Sequence, residues 1–359
     1  MSNSQCERPT MALIIIVHAL AAAAAPCAVA YPELLVCSSG NNTVQKFDLK
    51  SDQHLGTAAS GGGISLPWGV AKGPDGNLYV SGFGSHAVFR YDGSTGAFID
   101  QFIPPQSGGL LGPGDLVFRD DGYLYVVSEY SFEILRYDAQ TGAFIDVFIA
   151  DGSGGLNSPR GIEFGPDGDL FVVDHYGGEV LRFDGVTGAF EEIFVSFGFG
   201  VFNGDLAFGP DGNLYVTTYQ EDGVARFDGS TGEYLGYLIL PFGFVLNGPL
   251  GLAFGPDGSL YVASYLGGVT KHDGKTGELL DSLFAGVESP TMIMIDNPVQ
   301  VTGDINGDGN VNVQDMLAVI NSWGPCANPN NCPADIAPAP NGDDTVNALD
   351  LLLVINNWG

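Results

Sequence analysis

From Leu34 to Asp296 the chain is a succession of short apolar runs, four to six residues each, cut by clusters of Gly, Pro, Asp and Thr. Runs of that length, rich in Val, Phe, Tyr and Leu and bounded by turn residues, predict β-strands and leave no room for helices. The segment GIEFGPDGDLFVVDHYGGEVLRFDGVTGAFEEIF (161–194) shows one unit. Gly161 to Phe164 reads as a first strand, and Pro166-Asp167-Gly168 turns the chain, Pro presetting φ and Gly accepting a positive φ. Leu170 to Asp174 is a second strand and Val180 to Asp184 a third; after a Thr187-Gly188 turn, Ala189 to Phe194 is a fourth.

This unit repeats. Gly-Pro-Asp-Gly stands at 73–76, 165–168, 209–212 and 255–258, and Arg119-Asp120-Asp121-Gly122 fills the gap, so successive turns lie 46, 46, 44 and 46 residues apart. Asp48, Asp92, Asp138, Asp184, Asp228 and Asp273 keep the same beat, the last five each followed three and four residues later by Thr-Gly. A period of that length with four strands is a propeller blade. Residues 34–58 hold only the last three strands of a unit, and 289–296, SPTMIMID, only the first. Pairing the two ends in one composite blade removes two raw sheet edges and gives a six-bladed ring. GPDGNLYV and EVLRFDGVTG resemble the NHL-repeat propellers and, more loosely, the six-bladed gluconolactonase and senescence-marker group. That resemblance implies the fold; function must come from a site.

A site is expected at a mouth of the channel, where first strands begin and second strands end. The first strands offer Trp68, Asp115, Arg160, Asp205 and Leu250; the second offer Phe83, Glu129, Asp174 with His175, Tyr219 and Tyr265. Asp115, Glu129, Asp174 and Asp205, with Arg160 and His175, are the candidates for catalysis, since converging carboxylates suit a metal that polarises a lactone or activates water. The alternative is that these Asp side chains tie loops by accepting backbone N–H bonds.

After Pro298 the strand pattern stops. DINGDGNVNVQD places oxygen-bearing side chains at Asp304, Asn306, Asp308, Asn312 and Asp315, positions 1, 3, 5, 9 and 12 of an EF-hand-type loop, with Gly309 at the turn and Asn310 supplying a carbonyl. Calcium takes six to eight such oxygens. Met316, Leu317, Val319, Ile320 and Trp323 then recur at helical spacing until Gly324-Pro325,. No entering helix precedes the loop, so this is half an EF-hand. VNVQDMLAVINSWG (311–324) returns 35 residues later as VNALDLLLVINNWG (346–359). The second loop is irregular, with Asp335, Asn341, Asp343, Thr345, Asn347 and Asp350 as ligand candidates, an insertion including Ala337 to Pro340, and Asp344 at the Gly position.

Two such repeats in tandem resemble a type I dockerin of the variant whose first helix ends in Trp-Gly-Pro-Cys, here Trp323 to Cys326. The resemblance implies bound Ca2+ and a cohesin-like partner domain. Its recognition positions fall on Val313-Gln314 and Ala348-Leu349, which lack the Ser-Thr pair of cellulosomal dockerins, so it implies no particular cohesin.

Charge and the N-terminus complete the picture. A net charge of −30, from 12 Lys+Arg against 42 Asp+Glu, leaves no basic surface for nucleic acid,. Residues 11–25, MALIIIVHALAAAAA, followed by Ala28-Val29-Ala30, read as a signal peptide cleaved before Tyr31,. No other apolar run reaches membrane length, so the mature chain is expected to lack a membrane span. Cleavage leaves Cys37, a buried thiol in a strand, and Cys326 with Cys332, close enough in sequence for a short-loop disulfide in an oxidising compartment,. The expected organisation is a signal peptide over 1–30, an all-β six-bladed propeller over 31–298, and a small α-helical calcium-binding module over 299–359. The expected function is a secreted or cell-surface protein whose propeller binds a saccharide, another small ligand or a partner. The alternative is a hydrolase or lactonase associated with polysaccharide catabolism.

Overall fold

The computed structural model describes residues 32–198, 203–243, 245–283 and 285–296, together with 316, 317, 319, 320, 324, 325, 345, 346, 351, 354 and 355. Tyr31–Pro298 forms a compact unit of its own.

That unit is a six-bladed propeller of four-stranded antiparallel sheets. Blade 1 is composite: Pro290–Asp296 supplies its inner strand beside Glu33–Ser38, Thr43–Asp48 and Gln53–Ser60, in that order. The other inner strands are Pro67–Lys72, Pro113–Phe118, Pro159–Phe164, Asn203–Phe208 and Pro249–Phe254, in blades 2 to 6. In blade 4 the inner strand begins two residues ahead of Gly161, because Pro159 already faces Asp174 across a register shift. The second strand, Leu170–Asp174, falls where the pattern puts it; the third and fourth are Glu179–Phe183 and Phe190–Ser196.

Second strands are buried along almost their whole length, and mostly apolar, because a neighbouring blade covers each of their faces. Leu35 and Cys37 pack into blade 2 with Val80 and Phe89, while Leu34 and Val36 pack into blade 6 with Tyr261 and Ala263. A period of two divided between two cores gives a continuous hydrophobic run. Cys37 is fully buried, and desolvation pushes its thiol well above the ordinary range, so it is a core residue,.

Both repeated motifs are turns that also join blades. In blade 3, Asp138 Oδ1 accepts from the N–H groups of Gln140 and Thr141, at 3.1 and 2.8 Å, and from the Thr141 hydroxyl at 2.7 Å. Gly142 follows at φ 70°, and a Cβ there would overlap the carbonyl oxygen of Phe102 on blade 2. Only glycine meets both demands. The Asp of the first turn receives the hydroxyl of a second-strand tyrosine: Tyr79 to Asp75 at 3.0 Å, Tyr125 to Asp121 at 2.8 Å and Tyr215 to Asp211 at 2.9 Å. Those rings meet Phe118, Phe164 and Phe254 of the next blade edge-on, at centroid distances of 4.8, 5.0 and 4.9 Å,.

In the C-terminal segment, Met316, Leu317, Val319 and Ile320 are helical, as are Leu351, Val354 and Ile355. Gly324–Pro325 pairs antiparallel with Thr345–Val346. Val319 and Val354 are both fully buried, and Ile320 and Ile355 are both exposed. The two repeats therefore turn the same helical face inward. Cys326 and Cys332, and all the proposed calcium ligands except Thr345, lie outside the described residues.

Candidate functional site

Six inner strands converge on a channel too narrow for six large side chains in one layer. Their second residues are Trp68, Gly114, Arg160, Gly204, Leu250 and Thr291, so bulk comes from blades 2, 4 and 6. In the third residues the order reverses: Gly69, Asp115, Gly161, Asp205, Gly251 and Met292. A Cβ at Gly161 would overlap Asp205, and one at Gly251 would stand 2.8 Å from the Met292 Cα. Alternate strands thus fill alternate layers, as side chains do inside closed barrels.

The layers divide the sequence candidates between two cavities. Trp68, Arg160 and Leu250, with His175, Tyr219 and Tyr265 from the ends of second strands, line a mouth pocket of about 250 Å³. Arg160 reaches Glu129 of blade 3 at 3.0 Å, and its guanidinium lies over Trp68 at 5.2 Å. His175 Nδ1 lies 2.5 Å from the Asn203 carbonyl oxygen, which makes Nδ1 the donor and leaves the lone pair on Nε2,. Burial and the Arg160 charge lower the His175 pKa to about 4, so the ring is neutral at physiological pH. Trp68 Nε1, Arg160 Nε and Glu129 Oε2 are buried without a hydrogen-bond partner among the described residues. Each such group costs about 1–3 kcal/mol, which marks the pocket as more than filler.

Asp115 and Asp205 line a different cavity of about 290 Å³ along the channel, with Glu163, Met292 and Met294. Asp115 accepts from the Ile162 N–H at 3.1 Å, Asp205 from Leu252 at 3.3 Å and Glu163 from Phe208 at 3.0 Å, each on the next blade's inner strand. Asp174 lines neither cavity; fully buried, it accepts from the Ser158 and Asn157 N–H groups at 3.0 and 3.3 Å and ties a loop. The six candidates are therefore not one ring. Arg160, Glu129 and His175 come together, Asp115 and Asp205 stand apart from them, and Asp174 is structural in its contacts. Among the described residues, the only group of acids close enough to share an ion is Asp169, Asp184 and Glu191. Arg182 already bonds there, at 2.6 Å to Asp169 and 3.1 Å to Glu191.

Glu163 was not among the sequence candidates, though it is the one acid at the fifth inner-strand position. Part of its side chain faces the channel void, yet protein surrounds it, and desolvation with the Asp115 charge raises its pKa to about 8. Between the unfolded value near 4.3 and about 8, the native state holds a proton that the unfolded chain releases, so stability falls as pH rises, by at most about 1.4 kcal/mol per pH unit. The melting temperature is expected to decline from pH 5 to 8, and Glu163→Gln, which can still accept from Phe208, to flatten that decline. An unchanged pH profile in the variant would refute the assignment.

Residues 302–357 match the family model described as Dockerin type I domain. The C-terminal segment is a type I dockerin domain. A dockerin implies calcium binding and attachment to a cohesin-bearing assembly, and the donor set of the first loop, all oxygen, fits calcium. The propeller is similar to a chain of a nidogen/laminin complex, with TM-score 0.61 and 15% identity over 74% of this chain and 98% of that one. It is also similar to a protein of unknown function from Bacteroides caccae, at TM-score 0.54 and 15% identity over 74% and 99%. A candidate 6-phosphogluconolactonase from Bacteroides fragilis aligns at TM-score 0.53 and 18% identity over 74% and 98%. At such identities these likenesses establish the propeller fold alone. No curated protein matches the chain.

Proposed function

We propose that this is an exported protein that presents a ligand-binding propeller on an extracellular or cell-surface assembly, to which its dockerin domain fastens it through a cohesin-type partner. What carries the reading is the union, in one chain, of a dockerin domain with a propeller whose mouth holds a built pocket. A binding role is favoured over turnover by the way Asp115, Asp174 and Asp205 spend their oxygens on backbone N–H groups. Among the described residues no helix is long and apolar enough to cross a membrane. The calcium ligands are Asp304, Asn306, Asp308, Asn310, Asn312 and Asp315 in the first loop, and Asp335, Asn341, Asp343, Thr345, Asn347 and Asp350 in the second.

The test is capture of cohesin domains from the source organism by the full-length chain. At least one is expected to be retained in millimolar calcium, released by chelator, and retained equally by Trp68→Ala, which alters only the propeller pocket. Retention of none in calcium would sink the attachment half of the reading.

A further inference from the structure

The loops on the two faces of the propeller differ in kind. The mouth side carries the loops from fourth to first strands and from second to third. There Leu66, Leu111, Leu240, Phe242, Val245 and Leu266 are exposed, Leu240 at 71% and Phe242 at 64%. Tyr130 and Tyr176 join them from the second-to-third-strand loops of blades 3 and 4, at 56% and 50%. On the opposite side Val186 is the one large apolar side chain exposed among the described loop residues. Apolar residues scattered singly over a surface need no explanation, but their concentration on one face marks a contact surface.

Charge is sorted between the same two faces. Every Lys and Arg of the propeller except Arg160 lies in a turn of the opposite side or on the half of its strand nearer that side. There the acids are engaged, as Asp146 is by Arg136 at 2.6 Å and Asp52 by Lys271 at 3.1 Å. Arg160, at the mouth, is only 11% exposed and already bonded to Glu129, so it offers the surface little charge. The mouth-side carboxylates of Glu133, Asp151, Glu179 and Glu288 have no hydrogen-bond or ion-pair partner among the described residues. Asp151 and Glu288 are exposed, Glu133 and Glu179 half-buried. Desolvation and the Asp174 charge hold the Glu179 carboxyl above the usual range, as befits an acid with no cation beside it,.

Two loops carry both features. Tyr130 and Glu133 stand three residues apart, and so do Tyr176 and Glu179. An aromatic ring with a carboxylate nearby suits a Lys or Arg side chain, whose charge meets the acid while its stem or guanidinium lies on the ring. An anionic surface would meet these unpaired acids and be repelled, and an uncharged one would cover them without compensation. We infer that the mouth face docks a polypeptide segment in which Lys or Arg is interleaved with apolar side chains, the cations reaching Glu133 and Glu179 and the apolar groups lying on Leu240, Phe242 and Leu266. The inference rests on the reading of the propeller as a binding module and names its partner.

The experiment titrates dye-labelled peptides with the full-length chain, in calcium, and reads fluorescence anisotropy. The peptides are Lys-Leu-Lys-Phe-Lys-Leu-Lys, its counterpart with Glu for Lys, and its counterpart with Ser for Leu and Phe. The first is expected to bind saturably and the other two at least about tenfold more weakly. Glu133→Gln with Glu179→Gln should weaken the first peptide about tenfold, and Leu240→Ser with Phe242→Ser likewise. Glu233→Gln with Glu278→Gln, the same charge change at exposed residues of the opposite side, should leave it unaltered. Each pair is expected to keep the parent melting temperature, since none of these side chains is buried. Equal weakening by the two glutamine pairs would reduce the effect to the attraction of an acidic chain for any cation, and would overturn the inference. So would the absence of saturable binding of the first peptide, whether nothing replaces it, a neutral xylan or glucomannan binds instead, or the chain pairs with itself through a contact that the serine pair abolishes. Cohesin capture by the same preparation reports separately on the attachment, so failure of the peptide does not touch that half of the reading.

Discussion

Chelating calcium is expected to abolish the helical circular-dichroism signal of the full-length chain while leaving the propeller's cooperative melt in place. The dockerin segment is small, and the described part of its core is narrow: Val319, Val346 and Val354 are its buried residues there. A core of that size supplies roughly 3–5 kcal/mol at best. Calcium present at about 1,000 times its dissociation constant contributes about 4 kcal/mol to whatever state it binds. The ion's contribution therefore matches the whole of the remaining stability, and the module without it should be largely unfolded. Replacing positions 1 and 12 of the first loop, Asp304→Ala with Asp315→Ala, should reproduce the chelator's effect in calcium-containing buffer. The propeller has its own buried clusters at every blade junction. A helical signal that survives chelation, or a propeller melt that shifts with it, would contradict this division of the chain.

The parts of this molecule that were legible in sequence are those written in short-range chemistry. Asp138 to Gly142 is a turn whose hydrogen bonds lie within five residues, so its recurrence could be counted and the blades with it. The split blade followed from the same counting, since three strands at one end and one at the other complete a unit. The mouth was half legible. All six residues that line the pocket were in the blade-by-blade reading, because strand ends in a propeller face a mouth whatever their identity. Which carboxylates meet was not legible. Arg160 and Glu129 lie 31 residues apart on neighbouring blades, and Asp115 and Asp205 occupy a layer in which Gly69 stands against the one and Gly161 against the other. Such alternation of large and small residues around the ring appears only when six strands are aligned by position. Glu163 escaped for a related reason: an acid inside an apolar strand reads as a solvent-facing residue until the channel is known to lie on that side.

Ending the chain before Pro290 should prevent the propeller from folding, whereas ending it after Pro298 should not. Pro290–Asp296 pairs with the Glu33–Ser38 strand through Asp296 with Glu33, Ile295 with Leu34, Met294 with Leu35 and Ile293 with Val36. Leu34, Leu35 and Val36 are at most 1% exposed, and without the inner strand all three lose cover. At about 1.5–3 kcal/mol for each buried aliphatic side chain, the loss is on the order of 5–9 kcal/mol before any ladder hydrogen bond is counted. That is comparable to the roughly 5–15 kcal/mol by which a folded domain is stable at all. The strand also latches the neighbouring blade, where the Thr291 hydroxyl donates to the Trp68 carbonyl at 2.8 Å and Asp296 meets Lys72 at 2.7 Å. The shorter chain is thus expected to aggregate through its exposed edges, and the longer one to melt cooperatively. A permuted chain separates the loss of the strand from the loss of chain length. Moving residues 289–296 ahead of Glu33 through a Gly-Pro-Asp-Gly turn makes blade 1 an ordinary unit, because Asp296 and Glu33 already face each other as the two ends of such a turn do. That permutant should fold with an unaltered mouth pocket. If it fails while the chain ending before Pro290 succeeds, closure by both termini is not what holds the ring.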